Sequence, residues 1–197
     1  MSEYFNTRHT LIAKIQDQHD DKSWEEFVAF YRPYIYTVVK SMSLPTQEIE
    51  DVSQAILLAL WERLPSFKYE PQKCKFRTWM NGITFNIVSN AKRKDHSYKK
   101  RNSKYALESG SQLPIEPEIN KLMDSEWKKH MTQLAIDNIR PAVSDRAMRC
   151  FEMFYQGSSV DEIVETLEIK KNSAYVLRRR VLERLRIEII RLDEELS

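Results

Sequence analysis

The chain has 197 residues, 42% of them hydrophobic and 30% charged, which is enough apolar content for one large or two small soluble domains. Its three glycines, Gly82, Gly110 and Gly157, stand far apart, which excludes a glycine-rich phosphate loop and argues against a turn-rich β architecture. The net charge of +2 conceals local basic blocks that matter more than the sum.

Residues 1–23 are polar, with a short amphipathic piece carrying Leu11, Ile12 and Ile15. There is no basic-then-apolar leader and no apolar run of transmembrane length, so a cytoplasmic protein without membrane insertion is expected. Cys74 and Cys150 lack metal-ligand spacing and read as reduced thiols. Ser23 is the expected cap of a first helix, in a capping box with Glu26, and Phe27, Val28 and Tyr31 form its inner stripe. Pro33 is expected to break that helix and open another, carrying Tyr34, Ile35, Val38, Val39 and Met42.

Thr46 is the next candidate cap, leading into a helix over 49–64. Ile49, Val52, Ile56, Ala59, Leu60 and Leu64 make its core stripe. Asp51, Gln54, Leu58 and Trp61 form a second stripe at the same spacing. Folding requires one apolar stripe; a second, beside an acid and an amide, suits a partner-docking face. A helix buried on two sides of a bundle accounts for the pattern equally well.

The segment KFRTWMNGITFNIVSNAKRK over 75–94 places Phe76, Trp79, Met80, Ile83, Ile87 and Ala91 on one helical face. Arg77, Asn81, Phe85, Asn86, Ser89, Lys92 and Arg93 then fall on a face that should be solvated. Rings among cations and amides suit single-stranded nucleic acid: bases stack on rings, amides read base edges and cations neutralise phosphates. An ordinary amphipathic helix ending in a basic turn is the alternative.

Residues 96–123 are poor in apolar side chains and contain Gly110, Pro114 and Pro117, the texture of a linker between two domains. Helical spacing resumes with Trp127, Met131, Leu134 and Ile139 up to Pro141. Ser144 is the expected cap of a helix with Ala147, Cys150, Phe151 and Phe154 inside, ending at Gly157. Ser159 and Glu162 form a capping box for a short helix, and a brief turn leads to a long basic one. That is the helix-turn-helix pattern, with Lys170, Lys171, Arg178, Arg179, Arg180 and Arg184 placed to meet phosphates and bases. A basic surface helix in a plain bundle is the alternative.

With YRPYIYTVV, IEDVSQAILLALWERLPSF, KFRTWMNGITFNIV and the terminal helix-turn-helix in this order, the chain resembles the extracytoplasmic-function sigma factors of bacterial RNA polymerase. The likeness covers about residues 8–94 and 124–192. It implies an all-α protein of two small helical domains on a flexible linker: 1–95 as sigma region 2, 96–123 as linker and 124–197 as region 4. It implies core RNA polymerase and promoter DNA as partners, and the family also admits an anti-sigma protein.

By the same resemblance Glu50, Asp51, Gln54, Leu58 and Trp61 dock on the polymerase clamp. Phe76, Arg77, Trp79, Phe85, Asn86, Ser89, Lys92, Arg93 and Lys94 act at the minus-ten element, with Phe76–Trp79 assisting melting and Asn86 reading a flipped base. The helix from Lys171 enters the major groove at minus thirty-five, bringing Lys170, Lys171, Asn172, Ser173, Tyr175, Arg178, Arg179, Arg180 and Arg184. Gly82 departs from an arginine common in the family, and Glu168 from the usual glycine of the turn.

No catalytic constellation, cofactor or metal site is expected: His9, His19, His96 and His130 are scattered, and the adjacent acids Glu48, Glu50 and Asp51 lack the second side of a nuclease metal site. A helix-turn-helix repressor or activator without obligatory polymerase binding is the rival, and it would need a ligand or dimerisation domain in the N-terminal half.

Overall fold

Apolar residues at steps of three and four give helices wherever the structure describes the chain, and among the described residues no strand occurs. The structure is a computed structural model, and it describes residues 12, 14–16, 20–67, 76–99 and 116–196. The helices are α1 (Asp21–Ser41), α2 (Thr46–Arg63), α3 (Phe76–Lys99), α4 (Pro117–Ile139), α5 (Asp145–Tyr155), α6 (Val160–Leu167) and α7 (Lys171–Leu196). Single 3-10 turns follow α2 and α4, at Leu64–Ser66 and Arg140–Ala142. The fold is all-α. One compact unit ends at Lys128 and another runs Lys129–Glu194, so the division falls inside α4.

In the first unit, α1 passes straight through Pro33 and does not break there. Pro33 and Ala29, whose carbonyl loses its usual helical donor, are both exposed, so the cost of the missing bond is low. The cap is Asp20, not Ser23: its carboxylate accepts from the Ser23 amide at 3.0 Å and from the Ser23 hydroxyl at 2.6 Å. A charged acceptor satisfies an orphan amide better than a hydroxyl does, and the two hydrogen bonds hold the Asp20 carboxyl below the usual range. Pro45, without a side-chain bond, precedes α2; Thr46 is already helical.

The core of this unit is aromatic. Phe27, Tyr31 and Phe76 meet with ring centroids 4.6–5.9 Å apart. Ile35, Ile56, Leu60 and Met80 are fully buried beside Val38 and Val39. Gln16 donates its amide to the carbonyls of Leu64 and Phe67, closing the carbonyl end of the second helix. Residues 117–123, expected as linker, are the first two turns of α4, with Pro117 at the first helical position where its missing N–H costs nothing. Met123 and Trp127 are buried at 0% and 2% exposure, Trp127 packing edge-on against Tyr34 at 5.0 Å and stacked on Tyr31 at 6.4 Å.

In the second unit, Ser144 caps α5, and α5 ends in a turn closed by Ser158 N–H to the Met153 carbonyl and Gly157 N–H to Phe154. Gly157 takes φ +89°, which a side chain would strain. Ser159 and Glu162 cap α6 reciprocally, as the sequence indicated. Cys150, Ile163, Leu167 and Ala174 form the core that locks α5, α6 and the start of α7.

Glu188 on α7 accepts from Arg191 and from Asn138 on α4, and these bonds, the Arg191 one first, hold its carboxyl below the ordinary range. A depressed carboxyl contributes stability at pH above its unfolded value and loses it as pH falls through the folded value. This unit should therefore be more stable to urea than its Glu188→Gln variant at pH 7, by about 1 kcal/mol, with the gap shrinking as pH falls through and below the ordinary carboxylate range.

Candidate nucleic-acid and docking interfaces

The outer stripe of α2 is solvent-facing. Leu58 is 58% exposed, Asp51 and Gln54 are exposed, and Trp61 is half-buried because its ring packs edge-on against Trp24 at 4.8 Å. Burial of α2 on two sides is thereby ruled out for Leu58. Glu50 receives Arg32 of α1 at 2.6 Å and the Gln54 amide at 3.3 Å, and these bonds lower its carboxyl pKa, the arginine foremost. Both partners of that ion pair are well solvated, so it orients side chains more than it stabilises.

Beside this stripe runs an open groove of about 830 Å³ lined by Trp24, Val28, Arg32, Pro33, Tyr36 and Glu50. Val28 thus faces outward and not into the core, correcting its place in the inner stripe of α1. The signal for the groove was in the sequence: Trp24, Val28, Arg32 and Tyr36 recur every four residues, on a face separate from Phe27, Tyr31 and Tyr34. Sequence reading missed it because the expected break at Pro33 cut that stripe in two.

On α3 the face expected to be solvated is partly covered. Asn81 is 6% and Phe85 8% exposed, so both are interior. The Tyr34 hydroxyl donates to Asn81 Oδ1 at 2.8 Å and reaches the Met123 carbonyl at 3.4 Å. Burial raises the Tyr34 phenol far above its ordinary range, so it remains a donor. Phe76 is 1% exposed and belongs to the core. Trp79 is half-buried against Phe67, centroids 4.3 Å apart.

Arg77 is held by Asp124 of α4 at 3.1 Å and lies over the Trp127 ring at 5.4 Å. Further along α3, Asn86, Ser89 and Lys92 are half-buried and Arg93 is exposed. Asn86 Oδ1 is buried and accepts no hydrogen bond. The side chain of Lys94 lies outside the described residues. Gly82 is buried in a helical turn beside the Asn81 contact, where an arginine would have to reach solvent.

In the second unit α6 and α7 are joined by Glu168, Ile169 and Lys170. Glu168 adopts the left-handed conformation, φ 51° and ψ 51°, that a glycine favours there, so its departure from the family pattern leaves the turn geometry in place. Ile169 packs on the core cluster and its amide bonds the Val164 carbonyl, over-determining the strained residue before it.

The basic residues of α7 divide by partner. Lys171 pairs with Asp161 at 2.5 Å, Arg178 lies over Phe154 at 4.9 Å, Arg179 pairs with Glu183 at 2.8 Å, and Arg184 donates to the Ala142 carbonyl at 2.5 Å. Among the described residues Lys170 and Arg180 have no ion-pair partner. Asn172, Ser173, Tyr175 and Val176 are exposed at the start of α7.

Cys150 is a buried free thiol whose pKa burial raises, bonded to the Ala174 carbonyl at 3.5 Å. Cys74, His9 and His19 fall outside the described residues, among which no group of His, Cys, Asp or Glu is placed to hold a metal ion. No described helix is long and apolar enough to cross a membrane.

Compared with known proteins, residues 27–97 match the family model for Sigma-70 region 2. No curated protein matches the chain. A solved structure of CnrH in complex with the cytosolic domain of CnrY is similar over 92% of this chain and 96% of that one, at 15% identity and a TM-score of 0.38, too loose a likeness to bear on the assignment. The matched segment runs from Phe27 of α1, through all of α2, into the basic end of α3, and so contains both the outer α2 stripe and the Arg77–Arg93 surface. Over residues 27–97 the chain is therefore similar to Sigma-70 region 2.

Proposed function

We propose that this protein is a sigma factor of the extracytoplasmic-function class, which binds core RNA polymerase and directs it to a two-part promoter without catalysing a reaction itself. The observation that carries this is the family match over 27–97, coinciding with a helix whose outer stripe is solvent-exposed. Asp51, Gln54, Leu58 and Trp61, with Glu50 oriented by Arg32, form the polymerase-docking face. The groove lined by Trp24, Val28 and Tyr36 extends it.

Asn86, Ser89, Lys92, Arg93 and Lys94 act on the melted minus-ten strand. Arg77 acts there too, while Trp79, Phe76 and Phe85 shape the surface from beneath. Residues 1–95 and 124–197 would serve as regions 2 and 4. The exposed start of α7 supports a role at minus thirty-five. Asn172, Val176 and Arg180 recur every four residues on one exposed face and suit base edges: an amide for adenine, a methyl-bearing side chain for thymine and a guanidinium for guanine. Ser173 and Tyr175 flank that face. Lys170, Lys171, Arg178, Arg179 and Arg184, several tied within the fold, position the helix on phosphates. An anti-sigma protein remains a candidate partner.

Co-purification with core polymerase and run-off transcription from a promoter library test the proposal. Gln54→Ala with Leu58→Ala should reduce polymerase binding at least tenfold while helical content and melting stay unchanged, since both side chains face solvent. Trp61→Ala is a poorer probe because it also removes a ring contact with Trp24. Wild-type affinity in the folded double variant would refute the docking face, and duplex binding without any polymerase association would favour a repressor or activator.

A further inference from the structure

We propose that residues 117–128, the first half of α4, act as an internal competitor for single-stranded DNA, occupying the Arg77 surface of α3 in the free chain. The inference rests on the single-strand role given to α3 above, and every residue in it lies within one compact unit.

The geometry is that of a nucleotide built from side chains. The Asp124 carboxylate sits 3.1 Å from the Arg77 guanidinium, where a phosphate oxygen would sit. The Trp127 indole lies under the same guanidinium at 5.4 Å, where a base would stack. The Tyr34 hydroxyl, shared between Asn81 and the Met123 carbonyl, fixes this turn of α4 against α1 and α3. With Arg77 at 22% side-chain exposure, a DNA strand reaches it only by displacing the competitor.

Charge favours the same occupant. Asp124 is the acid of this stretch paired with an α3 cation, Arg77, whereas Glu118 is exposed and outside that pair. The docked state is also imperfect: Arg77 Nε is buried without a hydrogen-bond partner, a cost that release removes. A covering helix held by aromatic burial, yet leaving one cationic donor unsatisfied, is one that a competing strand can displace.

The test measures binding of the full chain to a fluorescein-labelled mixed-sequence single strand by anisotropy at low salt, with folding checked by circular dichroism. Asp124→Asn removes the carboxylate from a half-exposed position without disturbing the Trp127 packing. It should tighten binding roughly threefold to fivefold, the scale of a partly exposed ion pair. Glu118→Gln removes an equal charge from an exposed site on the same helix and should leave affinity unchanged. Equal affinity of wild type and Asp124→Asn would overturn the competitor, as would an equal gain in Glu118→Gln, which would reduce the effect to net charge. No binding by any of the three proteins would overturn both the competitor and the single-strand role of α3. Binding that Asp124→Asn leaves unchanged overturns the competitor alone.

Discussion

Replacing Trp127 with alanine should cost about 3–5 kcal/mol in the packing of α4 on α1 and α3, the scale for truncating a buried tryptophan. The ring is 2% exposed and touches Tyr31, Tyr34 and the Arg77 guanidinium, so alanine leaves a cavity between three elements and removes the ring beneath a half-buried cation that Asp124 still pairs. Hydrogen exchange checks it locally: amides of α4 around 120–128 and of α1 around Tyr31 and Tyr34 should exchange more than a hundredfold faster, while α5–α7 keep their protection. Uniform acceleration across the chain would mean that Trp127 supports the whole fold and not one packed surface. Unchanged protection in α1 would mean that the α4 contact contributes nothing to that core.

Changing Asn86 to alanine should relax the base preference at one minus-ten position by about 1–3 kcal/mol, roughly tenfold to a hundredfold, while polymerase binding persists. Asn86 Oδ1 is buried and unsatisfied in the free chain, so no backbone donor holds it, and a base amino group would relieve that cost. Lys92 and Arg93 differ: phosphate contacts position a strand without reading it, so Lys92→Ala or Arg93→Ala should weaken transcription at all promoters and flatten its salt dependence. Transcription from a library carrying every base at each minus-ten position distinguishes the two classes. An unchanged profile for Asn86→Ala would sink the base-reading role even if total activity fell.

The places where expectation and structure part company have a common cause. Ser23 and Thr46 looked like caps because local hydrogen-bonding chemistry favours hydroxyls there; Asp20 won the first as a better acceptor, and the second helix began without a side-chain cap. Pro33 looked like a break because a proline lacks the N–H; with its own position and Ala29 both wetted, the lost bond was cheap. Asn81 and Phe85 looked solvated because a single helix read alone shows only one covered face.

By itself the sequence determined the helices, whose apolar residues return every three or four positions, and the second stripe of α2, legible because folding does not require it. It also determined the capping box of Ser159 with Glu162 and the order of segments that points to sigma region 2. These are properties of neighbours along the chain, and spacing records them. Only the tertiary structure decided which surface of α3 is open. Asp124 and Trp127 lie about fifty residues from Arg77 in the chain, and nothing in the periodicity of either helix says that a carboxylate and an indole will close on that guanidinium. Which cations of α7 are tied inside the fold was decided in the same way, by partners such as Ala142, Phe154 and Asp161 that only folding brings within reach.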